Sequence, residues 1–181
     1  MTTKQFTNAI KKYLNNNEYL EYIQHNKDDK QFICDGYSIV LFNNYNELLD
    51  NFNQKKYSTS INYEYLQSNR INVKKWYKLP KTYNKVFKNI NKYIKTYDLD
   101  TILIDDKAFF RCDLIKIIYN IAKYYGDFDI NIGKEINSND YILQLKNDDV
   151  KIELLPCVFS KKCDTKEYKQ SINDFINSIN K

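Results

Sequence analysis

An α+β fold is predicted by three observations. The order helix, strand, strand, strand occurs twice along the 181 residues. Asp35-Gly36 and Asn147-Asp148-Asp149 sit as turn signals between apolar stretches, the pattern of antiparallel neighbours. With 43% hydrophobic and 15% aromatic residues but 3 Gly and 2 Pro, the chain has material for a packed core and is not collagen-like, linker-like or Pro-rich disordered.

The first unit spans about residues 3–43. Phe6, Ala9, Ile10, Tyr13 and Leu14 recur at helical spacing over Lys4 to Leu14, behind Thr3 as a cap. Three extended stretches follow, Tyr19 to His25, Gln31 to Cys34 and Tyr37 to Phe42, the first two parted by the polar Asn26-Lys27-Asp28-Asp29 turn. The second unit spans about residues 100–157. Thr101 to Ile104 is a β-branched strand, Asp113 is placed to cap a helix from Leu114 to Tyr125, and Gly126 follows it. That helix has only Lys116, Asn120 and Lys123 as a polar strip and is therefore expected to be largely buried. Strands are predicted at Asp129 to Ile132, Tyr141 to Lys146 and Val150 to Leu155.

Between the units, about residues 45–97 read as a basic helical insertion. Glu47 to Phe52 has the pattern of a short helical turn, Tyr57 to Asn69 has no clear period, and Lys81 to Tyr97 is a helix behind Pro80. A C-terminal amphipathic helix at about 165–180 carries Tyr168, Ile172, Phe175, Ile176 and Ile179 on one face, with Asp164 and Glu167 at capping-box spacing. No linker divides the chain, so one domain is expected.

From Thr101 to Pro156 the chain resembles one domain of the bacterial DNA polymerase sliding clamp. Ile102-Leu103-Ile104-Asp105 leads into Phe109, Phe110 and a helix, and Val150-Lys151-Ile152-Glu153-Leu154-Leu155-Pro156 is similar to the family's closing apolar strand. Phe32-Ile33-Cys34-Asp35-Gly36-Tyr37 is similar to a clamp hairpin. The resemblance implies two α-β-β-β units on antiparallel sheet. A clamp subunit holds three such domains in a ring, whereas this chain has material for one, so encircling DNA would require homo-oligomerisation.

Charge is the most informative local feature. The formal net charge is +5, and Gln67 to Tyr97 contains no acid while Arg70, Lys74, Lys75, Lys78, Lys81, Lys85, Lys88, Lys92 and Lys95 are basic. On the helix the lysines share one side, opposite Tyr83, Val86, Phe87, Ile90, Tyr93, Ile94 and Tyr97. Such a stripe suits salt-dependent, sequence-independent contact with phosphates. It is also what the solvated face of a helix looks like in a lysine-rich protein. Trp76 and Tyr77, inside the run, have the rings to stack on an unpaired base, although Trp76 also reads as a core or rim anchor. With only Arg70 and Arg111 as arginines, bidentate base readout has few candidates.

Other chemistry has weaker signals. Asp98, Asp100, Asp105 and Asp106, and Asp127, Asp129 and Asp140 with Gln144-Leu145-Lys146, resemble in outline the carboxylates of a metal-dependent nuclease. Cys34, Cys112, Cys157 and Cys163 are scattered and His25 is the single imidazole, so neither a zinc site nor a Ser/His/Asp or Cys/His set emerges. No P-loop, GxGxxG or HExxH is present. No cofactor, catalytic residue or metal ligand is assigned. No stretch reaches the roughly 18 apolar residues of a membrane span, and Met1 to Leu14 has no continuous apolar run, which predicts a cytoplasmic chain without membrane contact. Heavy Lys, Asn, Ile and Tyr use points to an A/T-rich bacterial or phage genome. The expected role is that of a non-enzymatic phage or mobile-element protein that binds nucleic acid or a host DNA-processing or defence nucleoprotein complex, an anti-CRISPR-type inhibitor included.

Overall fold

Residues 2–15, 24–25, 31–34, 37–44, 48–49, 72–138, 140–157 and 165–180 are described by the computed structural model. In chain order they form α1 (Thr3–Asn15), β1 (Gln24–His25), β2 (Gln31–Cys34), β3 (Ser38–Phe42), β4 (Val73–Lys78), α2 (Thr82–Lys88) and α3 (Ile90–Tyr97). Then follow β5 (Thr101–Ile104), β6 (Ala108–Arg111), α4 (Cys112–Tyr124), β7 (Asp129–Glu135), β8 (Tyr141–Lys146), β9 (Val150–Leu154) and α5 (Thr165–Asn180). The chain is therefore a mixed α+β protein whose strand pairs are all antiparallel among the described residues. No helix among the described residues is long and apolar enough to cross a membrane.

The main sheet has seven strands in the order β1-β2-β3-β9-β8-β7-β4, and β5-β6 is a separate hairpin. Two three-stranded meanders thus meet along one seam, where Val40 lies opposite Ile152. One row of opposed residues, Ile33, Val40, Ile152, Leu145 and Ile130, crosses five strands, and all of them are buried. Each such aliphatic side chain contributes about 1.5–3 kcal/mol relative to exposure. Helices α1 and α4 pack together. Tyr13 ties α1 to the seam strand, since its hydroxyl donates to the Ser38 carbonyl at 2.9 Å and accepts from Ser38 Oγ at 2.9 Å.

Helix α4 lies at the centre, burying Cys112, Leu114, Ile115, Ile117, Ile118, Ile121 and Ala122, as its narrow polar strip requires. Its start differs from the sequence expectation. Arg111 is the N-cap and Asp113 lies inside the first turn, where its carboxylate holds the Arg111 guanidinium at 3.0 and 2.5 Å. Asp113 still faces the positive helix end, accepting from the Leu114 amide at 2.8 Å. At the other end Gly126 has φ +103°, a conformation an L side chain resists.

The strand Thr101 to Ile104 has a partner that the sequence reading lacked: β6, paired with Ile102 opposite Phe110. The turn between them holds Asp105 and Asp106 at φ 51° and 55°, a left-handed pair that Asp tolerates better than most residues. The C-terminal helix α5 packs on its own chain, burying Tyr168, Ser171, Ile172 and Phe175. Tyr93 Oη and Ser171 Oγ share a buried hydrogen bond of 2.9 Å, and the Phe175 ring meets Tyr93 edge-on at 5.4 Å. Asp164 of the expected capping box, the Asp35-Gly36 turn, Tyr19 to Ile23 of the first expected strand and most of the stretch from Tyr45 to Asn69 lie outside the described residues.

Candidate nucleic-acid interface

The basic segment begins as a strand and becomes helical only from Thr82, which corrects the helical reading for Val73 to Lys78 alone. Val73, Trp76 and Tyr77 are good strand formers, and β4 pairs with β7 at the edge of the main sheet. Val73 faces Glu135 but Trp76 faces Gly133, so β4 holds one residue more than its partner in that interval. This bulge accounts for Lys74 and Lys75 both being exposed. Lysines along an edge strand also discourage edge-to-edge pairing with other chains.

Gly133 makes the bulge possible. A Cβ there would sit 2.3 Å from Val73 Cγ1 and 2.9 Å from Trp76 Cε3. The Trp76 ring therefore occupies the space over Gly133 and is half-buried as an anchor, leaving Tyr77 as the exposed aromatic of the strand, at 47%.

Leu79 closes the strand by donating its amide to the Ile130 carbonyl at 2.8 Å, and Pro80 starts the helical part. The expected single helix from Lys81 to Tyr97 is two, interrupted at Asn89 with φ −104° and ψ 17°. Asn89 competes for the Lys85 carbonyl with both its backbone amide and its Nδ2, at 3.1 and 2.9 Å, which is how a short amide side chain interrupts a helix. The apolar side survives the break, with Tyr83, Val86, Phe87, Ile90 and Tyr93 buried.

The structure exposes Lys74, Lys75, Lys78, Lys81, Lys85, Lys88, Lys92 and Lys95. Arg70 lies outside the described residues. Lys78 pairs with Asp129 at 2.5 Å, and the other lysines of the set form no ion pair among the described residues. Lys85 instead donates to Asn180 Oδ1 at 3.1 Å, a neutral partner. Lys85 and Lys88 close α2 and Lys95 closes α3, where the helix dipoles favour cations.

Two open clefts flank β4. At the β4–α2 end, one of about 630 Å³ is lined by Lys78, Lys81, Asn84, Lys123 and Lys146 together with Asp127, Asp129 and Asp148. At the Lys74 end, one of about 670 Å³ is lined by Lys74, Lys75, Tyr77, Lys134, Glu135 and Ile136. Lys107, from the strained β5–β6 turn, lies 5.6 Å from the Tyr77 ring centroid. Lys134, Lys107 and Ile136 have no local signal in the sequence; the pairing of β4 with β7 brings Lys134 and Ile136 beside β4, and the separate β5–β6 hairpin brings Lys107.

The carboxylates do not assemble. Asp98 and Asp100 precede β5 whereas Asp105 and Asp106 follow it, about 13 Å apart along a four-residue strand. Asp129 is opposite Lys146 at one end of the β7–β8 hairpin, and Asp140 adjoins the other end, where Lys134 faces Tyr141. Four of the seven are neutralised locally: Asp127 by Lys123 at 3.2 Å, Asp106 by Lys169 at 3.5 Å, Asp105 by Lys107 and Asp129 by Lys78. Among the described residues, no three His, Cys, Asp or Glu side chains gather to hold a metal ion.

Nor are the thiols poised as nucleophiles. Burial pushes the Cys112 thiol up to about 12 and raises that of Cys157, so both stay protonated. No protein-family model, curated protein or solved structure matches the chain. The chain itself defines an α+β protein with an antiparallel sheet and a lysine-bearing edge.

Proposed function

We propose that this protein binds nucleic acid without catalysis, through the surface that runs from β4 over α2 and α3. The observation that carries the reading is the run of lysines from Lys74 to Lys95, exposed and, apart from Lys78, without ion-pair partners among the described residues. Charges left unpaired on a structured face are available to phosphates, and releasing the phosphates' counterions drives attachment. Lys134 extends that field beyond the segment itself. The scarcity of arginine favours backbone contact over base readout.

The meeting of two meanders at the β3–β9 seam, with α1 against α4, supports the clamp-like reading of the fold. The role proposed for the chain in a phage or mobile element is to occupy nucleic acid, or the nucleic-acid channel of a host complex. Its apolar C-terminal helix face is taken up within the chain, so attachment rests on the lysine surface rather than on that helix.

The test is anisotropy titration of labelled oligonucleotides between 50 and 300 mM salt. Five phosphate contacts give a log–log slope of about −4 to −5 on duplex DNA. Affinity that is undetectable at 50 mM salt, or that does not change with salt, would overturn the reading.

A further inference from the structure

Resting on that reading, we infer that the cleft at the Lys74 end of β4 is a single-strand site in which Tyr77 stacks on an unpaired base. Three features meet there. Tyr77 and Ile136, exposed at 47% and 59%, are two of the three large hydrophobic side chains left exposed among the described residues, and both line this cleft. Cations lie over and beside the ring: Lys75 Nζ sits over it at 4.9 Å and Lys107 Nζ, itself paired with Asp105, at 5.6 Å from its centroid, and Lys74 and Lys134 line the same depression. The one acid lining it, Glu135, is engaged by its own turn, accepting from the Ser138 amide and from Asn137 Nδ2 at 3.3 Å.

An aromatic face set among ammonium groups matches an unpaired base flanked by its phosphates, because every base has a π-face and every linkage a charge. A duplex offers the phosphates but keeps its bases stacked on one another, so it uses the lysines and not the ring. An acidic peptide likewise uses only the lysines. The bulge seated on Gly133 explains the choice of ring. It turns Trp76 onto the sheet and leaves Tyr77 at the rim. The left-handed Asp105-Asp106 turn holds Lys107 over that rim.

The experiment compares labelled oligo(dT), oligo(rU) and a hairpin duplex on the wild type, Tyr77→Ala, Tyr77→Phe and the Lys85→Glu/Lys88→Glu/Lys92→Glu variant. Fluorescence of Trp76, the single tryptophan, checks that each variant is folded. Tyr77→Ala is expected to weaken single-strand binding on the order of tenfold, with Tyr77→Phe near wild type and duplex binding unchanged. The two oligomers separate DNA from RNA as the source of the strand, and dependence on Tyr77 with either one supports the site. If Tyr77→Ala leaves single-strand binding intact while the lysine variant loses it, stacking is overturned and nucleic-acid attachment stands. If polyglutamate displaces oligo(dT) as well as an equal charge of unlabelled oligo(dT) does, the base contributes nothing and the site is overturned. If no oligonucleotide binds at 50 mM salt, both readings fail together.

Discussion

Helix α4 and the α2–α3 pair are built from the same physical rule and end in opposite roles. Both bury an apolar stripe, α4 through Leu114, Ile115, Ile118 and Ile121, and α2–α3 through Tyr83, Val86, Phe87, Ile90 and Tyr93. They differ in what the remaining face meets. Helix α4 is covered by α1, α2 and α3 as well as by the sheet, so its polar strip is narrow. The α2–α3 pair lies at the outside, with α5 on part of it, and its free side carries unpaired lysines. The contrast teaches that stability and attachment are spatially separated here. Removing a methylene from α4 and reversing a charge on α2 are expected to change different measurements.

The largest break in stability belongs to α4. Ile118→Ala, at a fully buried position, is expected to cost about 2–5 kcal/mol in urea unfolding. The triple change of Lys85, Lys88 and Lys92 to Glu is expected to cost less, about 1–2 kcal/mol, because Lys85 and Lys88 leave the C-terminal end of α2. Its main effect falls on binding, where each lost phosphate contact lowers the magnitude of the salt slope by about 0.9. A triple variant that unfolds while still binding would dissolve the separation.

Gly133→Val probes the joint between the sheet and the basic edge. The added side chain meets Val73 and Trp76 inside contact distance, and overpacking of that kind costs about 1–3 kcal/mol. Displacement of Trp76 should appear as a red-shifted emission. An unshifted spectrum with unchanged stability would show that the bulge is not seated there.

Alkaline unfolding sharpens the contrast further, because each region buries a group that strongly resists ionisation. Burial raises Cys112, in α4, from 9.0 to about 12, and raises Tyr93, in α3, from 10.0 to about 12. In both cases the unfolded chain loses its proton first. The stabilising contribution is thus complete below pH 9 for the thiol and below pH 10 for the phenol, and it is lost as pH rises toward 12. Cys112→Ala should flatten the fall in stability that starts above pH 9, and Tyr93→Phe the fall that starts above pH 10. The smallest expected effect is that of Tyr93→Phe at pH 7, about 1 kcal/mol for the hydrogen bond to Ser171.

Much of the fold was legible locally. Phe6, Ile10 and Tyr13 in α1, the apolar sweep of α4, and Tyr168, Ile172 and Phe175 in α5 announce buried faces through spacing alone. The eight lysines from Lys74 to Lys95 that the structure describes are all exposed, and for Lys81, Lys85, Lys88, Lys92 and Lys95 the helical spacing implied it. Strand β4 was not legible. Its sequence, VKKWYK, has two adjacent lysines where a strand should alternate, and the bulge that accommodates them depends on a glycine some 60 residues away in β7. Strand β6 was hidden likewise, since Phe109 and Phe110 are adjacent and apolar and declare no face until paired with β5.

The helices, the charge of the basic segment and the mixed α+β class follow from the chain's local order, because helical periodicity and net charge are properties of neighbouring residues. Which aromatic of the Trp76-Tyr77 pair faces solvent and which lysines from outside β4 join Tyr77 were decided by tertiary structure. The choice of aromatic depends on register, and the main sheet's register is anchored by the row of buried side chains from Ile33 to Ile130 that spans strands distant in sequence. The same register places Asp129 and Asp140 at opposite ends of one hairpin, so carboxylates close in sequence stay apart in space.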